Sequence, residues 1–310
     1  MYHYIVRRLL LTVPVMVGVS LLVFLIVRLI PGDPATALAG PQATPEFIAQ
    51  IEAQYHLDKP IHVQYGIFLQ GILRGDLGRS TFSRRPVVTE IRERFPRTVE
   101  LTLAAMFIAT LVGIPAGIVS ATRRNSWFDH LGMIVALFGV AAPVFWLALM
   151  LQLLFSVELG WLPATGRGSF MHIILPAVTL GLSSAGLLAR ITRSSMLEVL
   201  RMEYVTTARA KGLGERIVVS RHALKNAMIP VITVIGLQFG ILLGGAVLTE
   251  SVFAWPGVGR LLVDSILSRD YPVVQGTVLL LSLTFVMINL LVDLFYAILD
   301  PRISYQGGSE

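Results

Sequence analysis

Six stretches of this chain, 9–27, 101–122, 131–157, 171–189, 226–249 and 271–292, carry few or no charges. Each approaches or exceeds the roughly 20 apolar residues that a helix needs to cross the hydrocarbon of a bilayer. In lipid every backbone N–H and C=O must find its partner within the protein, so such stretches are restricted to helices. With 55% hydrophobic and 14% charged residues and a mean hydropathy of +0.73, the chain has too little polar surface to cover a water-soluble globule. The expected fold class is therefore an all-α membrane protein with six transmembrane helices. Pro14, Pro115, Pro143 and Pro176 fall inside these stretches and are read as kinks, because membrane helices tolerate proline where neighbours satisfy the freed carbonyls. The first stretch also fits a signal peptide, with Arg7 and Arg8 before it and Ala37-Leu38-Ala39 as a cleavage site. It exceeds the roughly 7 to 15 apolar residues of such a segment, and retention is expected.

Orientation follows from the basic residues in short connections. One side would hold Arg7, Arg8, Arg123, Arg124, Arg190, Arg193, Arg201, Arg209, Lys211, Arg216, Arg221, Lys225 and Arg302, the other only Arg167, Arg260 and Arg269. Both termini are thus expected in the cytoplasm. The organisation read from this is a cytoplasmic start and first helix (1–30), an extracytoplasmic cap (31–96), a five-helix core (97–300) and a short cytoplasmic tail (301–310). The core includes a cytoplasmic loop at 192–225 and an extracytoplasmic one at 251–276. In the cap, 45–56 and 61–73 place apolar residues at helical spacing. A net charge of +6 and a pI near 9.9 do not point to nucleic acid, since the basic residues lie between apolar runs rather than on one polar face.

Reactive chemistry is missing from the sequence. No G-x-x-x-x-G-K-[ST] loop occurs, and Lys59, Lys211 and Lys225 are followed by Pro, Gly and Asn, so the chain has no Walker A cradle for ATP. H-E-x-x-H and G-x-S-x-G are absent too. There is no cysteine, and the six histidines are scattered without metal-ligand spacing, which leaves neither a catalytic set nor a metal site. Glu250 and Asp293 sit toward the ends of the fifth and sixth stretches, where snorkelling or pairing with loop arginines accounts for them better than proton coupling at the midplane. Gly236, Gly240 and Gly244 share one helix face, with Gln238 about 160° from Gly240. Such a face serves close helix packing or lines a solute path.

The 192–225 connection contains EYVTTARAKG at 203–212 and RHALKNAMIPV at 221–231. A helix over 203–211 ending at Gly212, then a second helix, would present a rigid knob to a cytosolic partner. From periodicity alone, a basic loop that only fixes topology stands as the alternative.

Here the sequence resembles the coupling loop of binding-protein-dependent ABC importer permeases of the dipeptide and oligopeptide class. RLIPGDPA at 28–35, DKPIHVQY at 58–65, GDLGRS at 75–80 and RRPV at 84–87 are similar to that class's first extracytoplasmic segment. ELGWLPATG at 158–166, FAWPGVGRLLVDSI at 253–266, RDYPVVQG at 269–276 and NLLVDLFYAILDPRI at 289–303 extend the likeness over nearly the whole chain. One departure stands out: the family-wide Glu-Ala-Ala pattern falls on Thr206, Thr207 and Ala208, while the peptide-class variant TARAKG matches fully at 207–212.

The resemblance implies a type I importer permease for short peptides, in a bacterial-type inner membrane. It would pair with a second, homologous but different permease and serve an extracytoplasmic solute-binding protein. Two cytosolic ATPases, which carry ATP and Mg, would grip Thr206, Thr207, Ala208, Arg209, Ala210, Lys211 and Gly212. The chain itself would bind no cofactor and be no enzyme; its non-protein neighbour is membrane lipid. Phe253 and Trp255, beside Pro256 and Gly257, look like a bent outer gate or interfacial anchors. Glutathione or nickel complexes are the alternative cargo, and a stand-alone secondary transporter is the rival of another class.

Overall fold

The computed structural model describes residues 2–29, 35, 44–54 and 57–299. The candidate cleavage site at 37–39 and the tail at 301–310 lie outside them. Long helices occupy the apolar stretches, and five of these are long and apolar enough to span a membrane, or six if one bent pair counts as a single span. The chain divides into two compact units, Val99–Trp255 with the chain from Ile288, and Tyr2–Thr98 with Pro256–Met287. Two long helices, α4 (Val87–Thr122) and α13 (Tyr271–Leu299), run through both.

The first unit is built on α7 (Met171–Val199), the most enclosed of the spans, with 61% of its apolar window buried. Leu101, Ala105 and Ala109 recur at a spacing of four along α4 and meet Ala177, Leu180, Ala185 and Leu188 of α7 in one core. Glycine sets the distance between these two helices. A Cβ on Gly117 would lie 2.6 Å from the Ala189 carbonyl oxygen, and one on Gly113 2.7 Å from that of Ala185. Lipid tails are as apolar as leucine, so membrane helices associate through such close approach rather than through escape from water.

The third apolar stretch departs from expectation. In place of one continuous helix kinked at Pro143 it forms a bent pair, α5 (Trp127–Ala141) and α6 (Val144–Gln152), the latter prolonged by a π-helical turn at Leu153–Glu158. They meet at 104°. Pro143 has no N–H to continue the ladder, and it drives the preceding Ala142 to an extended ψ of 131°. Pro14 and Pro176, by contrast, lie inside continuous helices, as does Pro115.

At the start of α5, Ser126 caps the helix by accepting from the Asp129 N–H, and the Asp129 carboxylate accepts from the Asn125 N–H and from Arg193 of α7 at 2.7 and 2.8 Å. Breaking a buried ion pair from one side typically costs about 3–5 kcal/mol. The Arg193 side chain is 26% exposed, so water recovers part of that. Asp129→Ala is expected to lower stability by about 1–3 kcal/mol. Adding Arg193→Met should restore some of it, which thermal unfolding of the purified chain in mild detergent will read.

In the second unit, α1 (Tyr2–Leu29) packs against α3 (Ile61–Leu73) through Phe24, whose ring lies 5.2 Å from that of Tyr65 and 5.6 Å from that of Phe68. The Ser20 hydroxyl and the Tyr65 phenol are hydrogen-bonded at 2.9 Å. A short helix, α2 (Pro45–Gln54), precedes α3. The helices expected from periodicity over 45–56 and 61–73 are formed, the first at Pro45–Gln54 with 55–56 outside the described residues. Val87 and Ile91 of α4 join Leu261 of α12 (Val258–Leu267) and Val273 of α13 in a separate small core. Three of the sequence motifs meet beside it. Asp270, of the RDYPVVQG motif, accepts from the Ser80 hydroxyl and the Thr81 N–H, while Arg85 pairs with Glu90 and Glu93.

Candidate coupling surface

Between α7 and the next span, the chain makes a helix, α8 (Glu203–Ala210), a tight turn, a short α9 (Glu215–Ile217) and a π-helical turn at Val218–Ala223 that leads into α10 (Leu224–Gly245). The helix forms because Val205 and Ala208 lie on one face and bury themselves against Val218, with Val199 and Leu200 packed around them. Glu203 places a carboxylate in the first turn, where the helix dipole favours it. Gly212 ends it: φ is +78°, a conformation that glycine adopts without strain, and its N–H donates to the Arg209 carbonyl at 2.9 Å.

Arg209 fixes this knob from outside. Its guanidinium donates to both Glu215 carboxylate oxygens at 3.1 and 2.7 Å and to the Leu200 carbonyl at 3.3 Å, tying α8 to α9 and to the end of α7. Hydrogen bonding to Glu215, aided by its charge, holds the guanidinium pKa above the ordinary arginine value. At the next turn, Asn226 donates to the Tyr204 hydroxyl at 2.7 Å.

Of the seven residues expected to meet an ATPase, Thr206, Thr207, Arg209, Ala210, Lys211 and Gly212 are exposed. Ala208 is not. It points inward and packs, because it lies one helical turn after Val205 on the buried face. The exposed polar face is bordered by Met202, Tyr204, Leu213 and Ile217, large side chains that the sequence reading did not single out.

The other expected sites fall elsewhere. Phe253 and Trp255 are buried in the first unit, at 2% and 1% exposure, so neither presents its ring to lipid headgroups as an interfacial anchor would. The Arg167 guanidinium covers the Trp255 ring at 5.7 Å and pairs with Glu100 at 2.9 Å. Ala254 between the two aromatics has a left-handed φ of 50°, unusual for a residue other than glycine, and the Gly166 N–H donates to the Phe253 carbonyl at 2.8 Å. Pro256 and Gly257 belong to the second unit, where Gly257 precedes α12.

Glu250, in α11 (Val247–Val252), is fully buried, which rules out snorkelling. The three spaced glycines do not act alike. A Cβ on Gly236 would collide with Val292, Gly240 is buried, and around Gly244 there is open space. Gln238 lies 3.4 Å from the Ser184 hydroxyl, to which its amide donates.

Sequence reasoning overlooked Asp129, which lies just ahead of the apolar stretch searched for charges. The Ser-x-x-Asp spacing at 126–129 is a helix-start signature that would have found it.

The sequence matches two families, described as "Binding-prot-dependent transport system membrane comp, N-term" over residues 1–102 and "Binding-protein-dependent transport system inner membrane component" over residues 113–305. It is 48% identical to the dipeptide transport system permease protein DppB of Alkalihalophilus pseudofirmus, covering 98% of this chain and all of that protein. It is 51% identical to the glutathione transport system permease protein GsiC of Salmonella typhimurium, covering 99% of this chain and all of the relative. Among solved structures, the inward-facing MetNI methionine ABC transporter matches with a TM-score of 0.59 at 18% identity, over 68% of this chain and 96% of that one. At that identity the likeness speaks for the fold alone. With full-length relatives near half-identical and a family match over most of its length, this chain belongs to the binding-protein-dependent transport system inner membrane components, the multi-pass permease subunits of ABC importers.

Proposed function

We propose that this chain forms half of the translocation pathway of an importer for short peptides, paired with a second, different permease. Both termini lie in the cytoplasm, as the basic residues of the short connections favour. Two cytosolic ATPases bind and hydrolyse Mg-ATP, and their closure pushes on α8 and rocks the spans between inward-facing and outward-facing states. A solute-binding protein delivers cargo on the opposite side, where the aromatic turn at Phe253 and Trp255 and the Pro256-Gly257 step that follows serve as parts of the outer gate.

The observation that carries the coupling role is the rigidity of α8. A push moves the spans only if the pushed element does not yield, and α8 is tied on two sides by Arg209 and underneath by Val205 and Ala208.

Short peptides are the favoured cargo because the relatives are named for dipeptides and for glutathione, itself a small peptide. The test is uptake into proteoliposomes that hold the assembled transporter, its binding protein and internal ATP. Labelled dipeptide is expected to accumulate at least tenfold over an ATP-free control. Accumulation of glutathione but not dipeptide would narrow the cargo, and a nickel complex alone would refute the peptide reading. Uphill, ATP-independent transport by this chain without companions would overturn the importer assignment itself.

A further inference from the structure

An apolar cavity of about 530 Å³ opens between α4, α5 and α7 in the first unit. That volume is within the roughly 300–1,000 Å³ usual for small-molecule sites. Its walls are mostly small or aliphatic, among them Val112, Ala116, Val135, Gly139 and Ala185. Glycine and alanine along facing helices leave the space. From Phe128 to Ala142 the groove follows α5 for about 21 Å, at about 1.5 Å per residue, more than the roughly 15 Å depth of one hydrocarbon leaflet.

One end of the groove differs in chemistry from the rest. Phe128, part of its wall, has the Arg123 guanidinium over its ring at 5.0 Å. Arg124 follows, also exposed, and neither arginine has an acidic partner among the described residues. The nearby carboxylate, Asp129, is already matched by Arg193. Trp127 is exposed at the same end, where an aromatic ring suits the boundary between lipid and water. A long apolar slot whose wall residue Phe128 is covered by Arg123, with Arg124 and Trp127 exposed beside them in sequence, has the polarity profile of a phospholipid with an anionic headgroup. The apolar walls alone would suit a helix from a second permease equally well; the arginine end is what favours an anionic headgroup.

We propose that the groove between α4, α5 and α7 binds one anionic phospholipid, with an acyl chain along the apolar walls and its phosphate at Arg123 and Arg124. Diffuse solvation by lipid would show no headgroup preference, whereas a site of this kind selects for charge. Each basic residue near such a headgroup is worth about a fivefold change in affinity, and the pair about thirtyfold.

The test is native mass spectrometry of the full chain in mild detergent, offered equal amounts of phosphatidylglycerol and phosphatidylcholine. Wild type is expected to retain one phosphatidylglycerol in strong preference. Arg123→Gln with Arg124→Gln should lower its retention about thirtyfold and leave phosphatidylcholine unchanged. Ala116→Phe, which fills the slot and spares both arginines, should remove the bound lipid. Val135→Phe on the facing wall repeats that test should Ala116→Phe fail to insert. Equal retention of the two lipids by wild type, or undiminished phosphatidylglycerol in the double glutamine variant, would overturn the site. So would a lipid that binds the isolated chain and is excluded from the assembled transporter, since a partner permease would then be the occupant.

Discussion

Gly212→Pro is expected to cut ATP-driven uptake below one-tenth of wild type while leaving the amount of protein in the membrane unchanged. Proline holds φ near about −65°, whereas the chain passes Gly212 at +78°, so the turn cannot form around it. Proline also lacks the N–H that donates to the Arg209 carbonyl. The damage spreads to the ion pair that bridges the turn, because Arg209 and Glu215 stand on either side of it. Once the turn opens, α8 loses its tie to α9, and a push on it bends the loop instead of moving the spans. Gly212→Ala supplies the graded control. Its left-handed strain is about 1–2 kcal/mol, and it keeps the N–H, so a partial loss of uptake is expected. ATPase co-purification with each variant separates failed docking from failed transmission. Wild-type uptake by the proline variant would remove α8 from the coupling pathway.

Gly117→Val should have the larger effect on the protein itself, with little of the chain accumulating in the membrane. A Cβ there would lie 2.6 Å from both the Ala189 carbonyl oxygen and the Thr192 Cβ, and 3.0 Å from the Arg193 nitrogen. Backbone atoms cannot rotate aside as a flexible side chain can. Helices α4 and α7 must separate, and overpacking of this kind costs about 1–3 kcal/mol or more. The core of Leu101, Ala105 and Ala109 against α7 would open with them. Gly244→Ala is the contrast, because no other group lies within 4 Å of the added carbon. Its accumulation and unfolding midpoint are expected to match or slightly exceed wild type, as alanine is the better helix former. Equal behaviour of the two variants, measured by fluorescence-detected size exclusion and thermal unfolding, would sink the claim that glycine sets the α4–α7 distance.

These two glycines mark how far reading along the chain reaches. The stripe at 236, 240 and 244 stands out in the sequence through its even spacing, yet a Cβ at Gly236 would strike Val292 while one at Gly244 would meet nothing within 4 Å. Gly113 and Gly117 have the same spacing of four, but which glycines bear on a partner depends on which helix faces them. Periodicity within one helix carries no information about that. The helix expected over 203–211 and its end at Gly212 formed as α8, because a glycine stop acts locally through backbone freedom, whereas periodicity alone left a plain basic loop open. That Ala208 faces inward and Arg209 grips Glu215 required the second helix to be in place.

Hydrophobic length and the distribution of charge are properties of the chain taken by itself, so the membrane as solvent, the number of apolar stretches and the family motifs were all legible in the sequence. Only the tertiary structure decided that the third stretch breaks by 104° at Pro143, that Asp129 and Arg193, 64 positions apart, join two helices, and that Arg123 stands over Phe128 in the wall of an apolar slot. Each of these depends on the approach of segments distant in sequence. In a medium as apolar as the side chains themselves, that approach is governed by shape and by the pairing of polar groups, and neither can be read along a single helix.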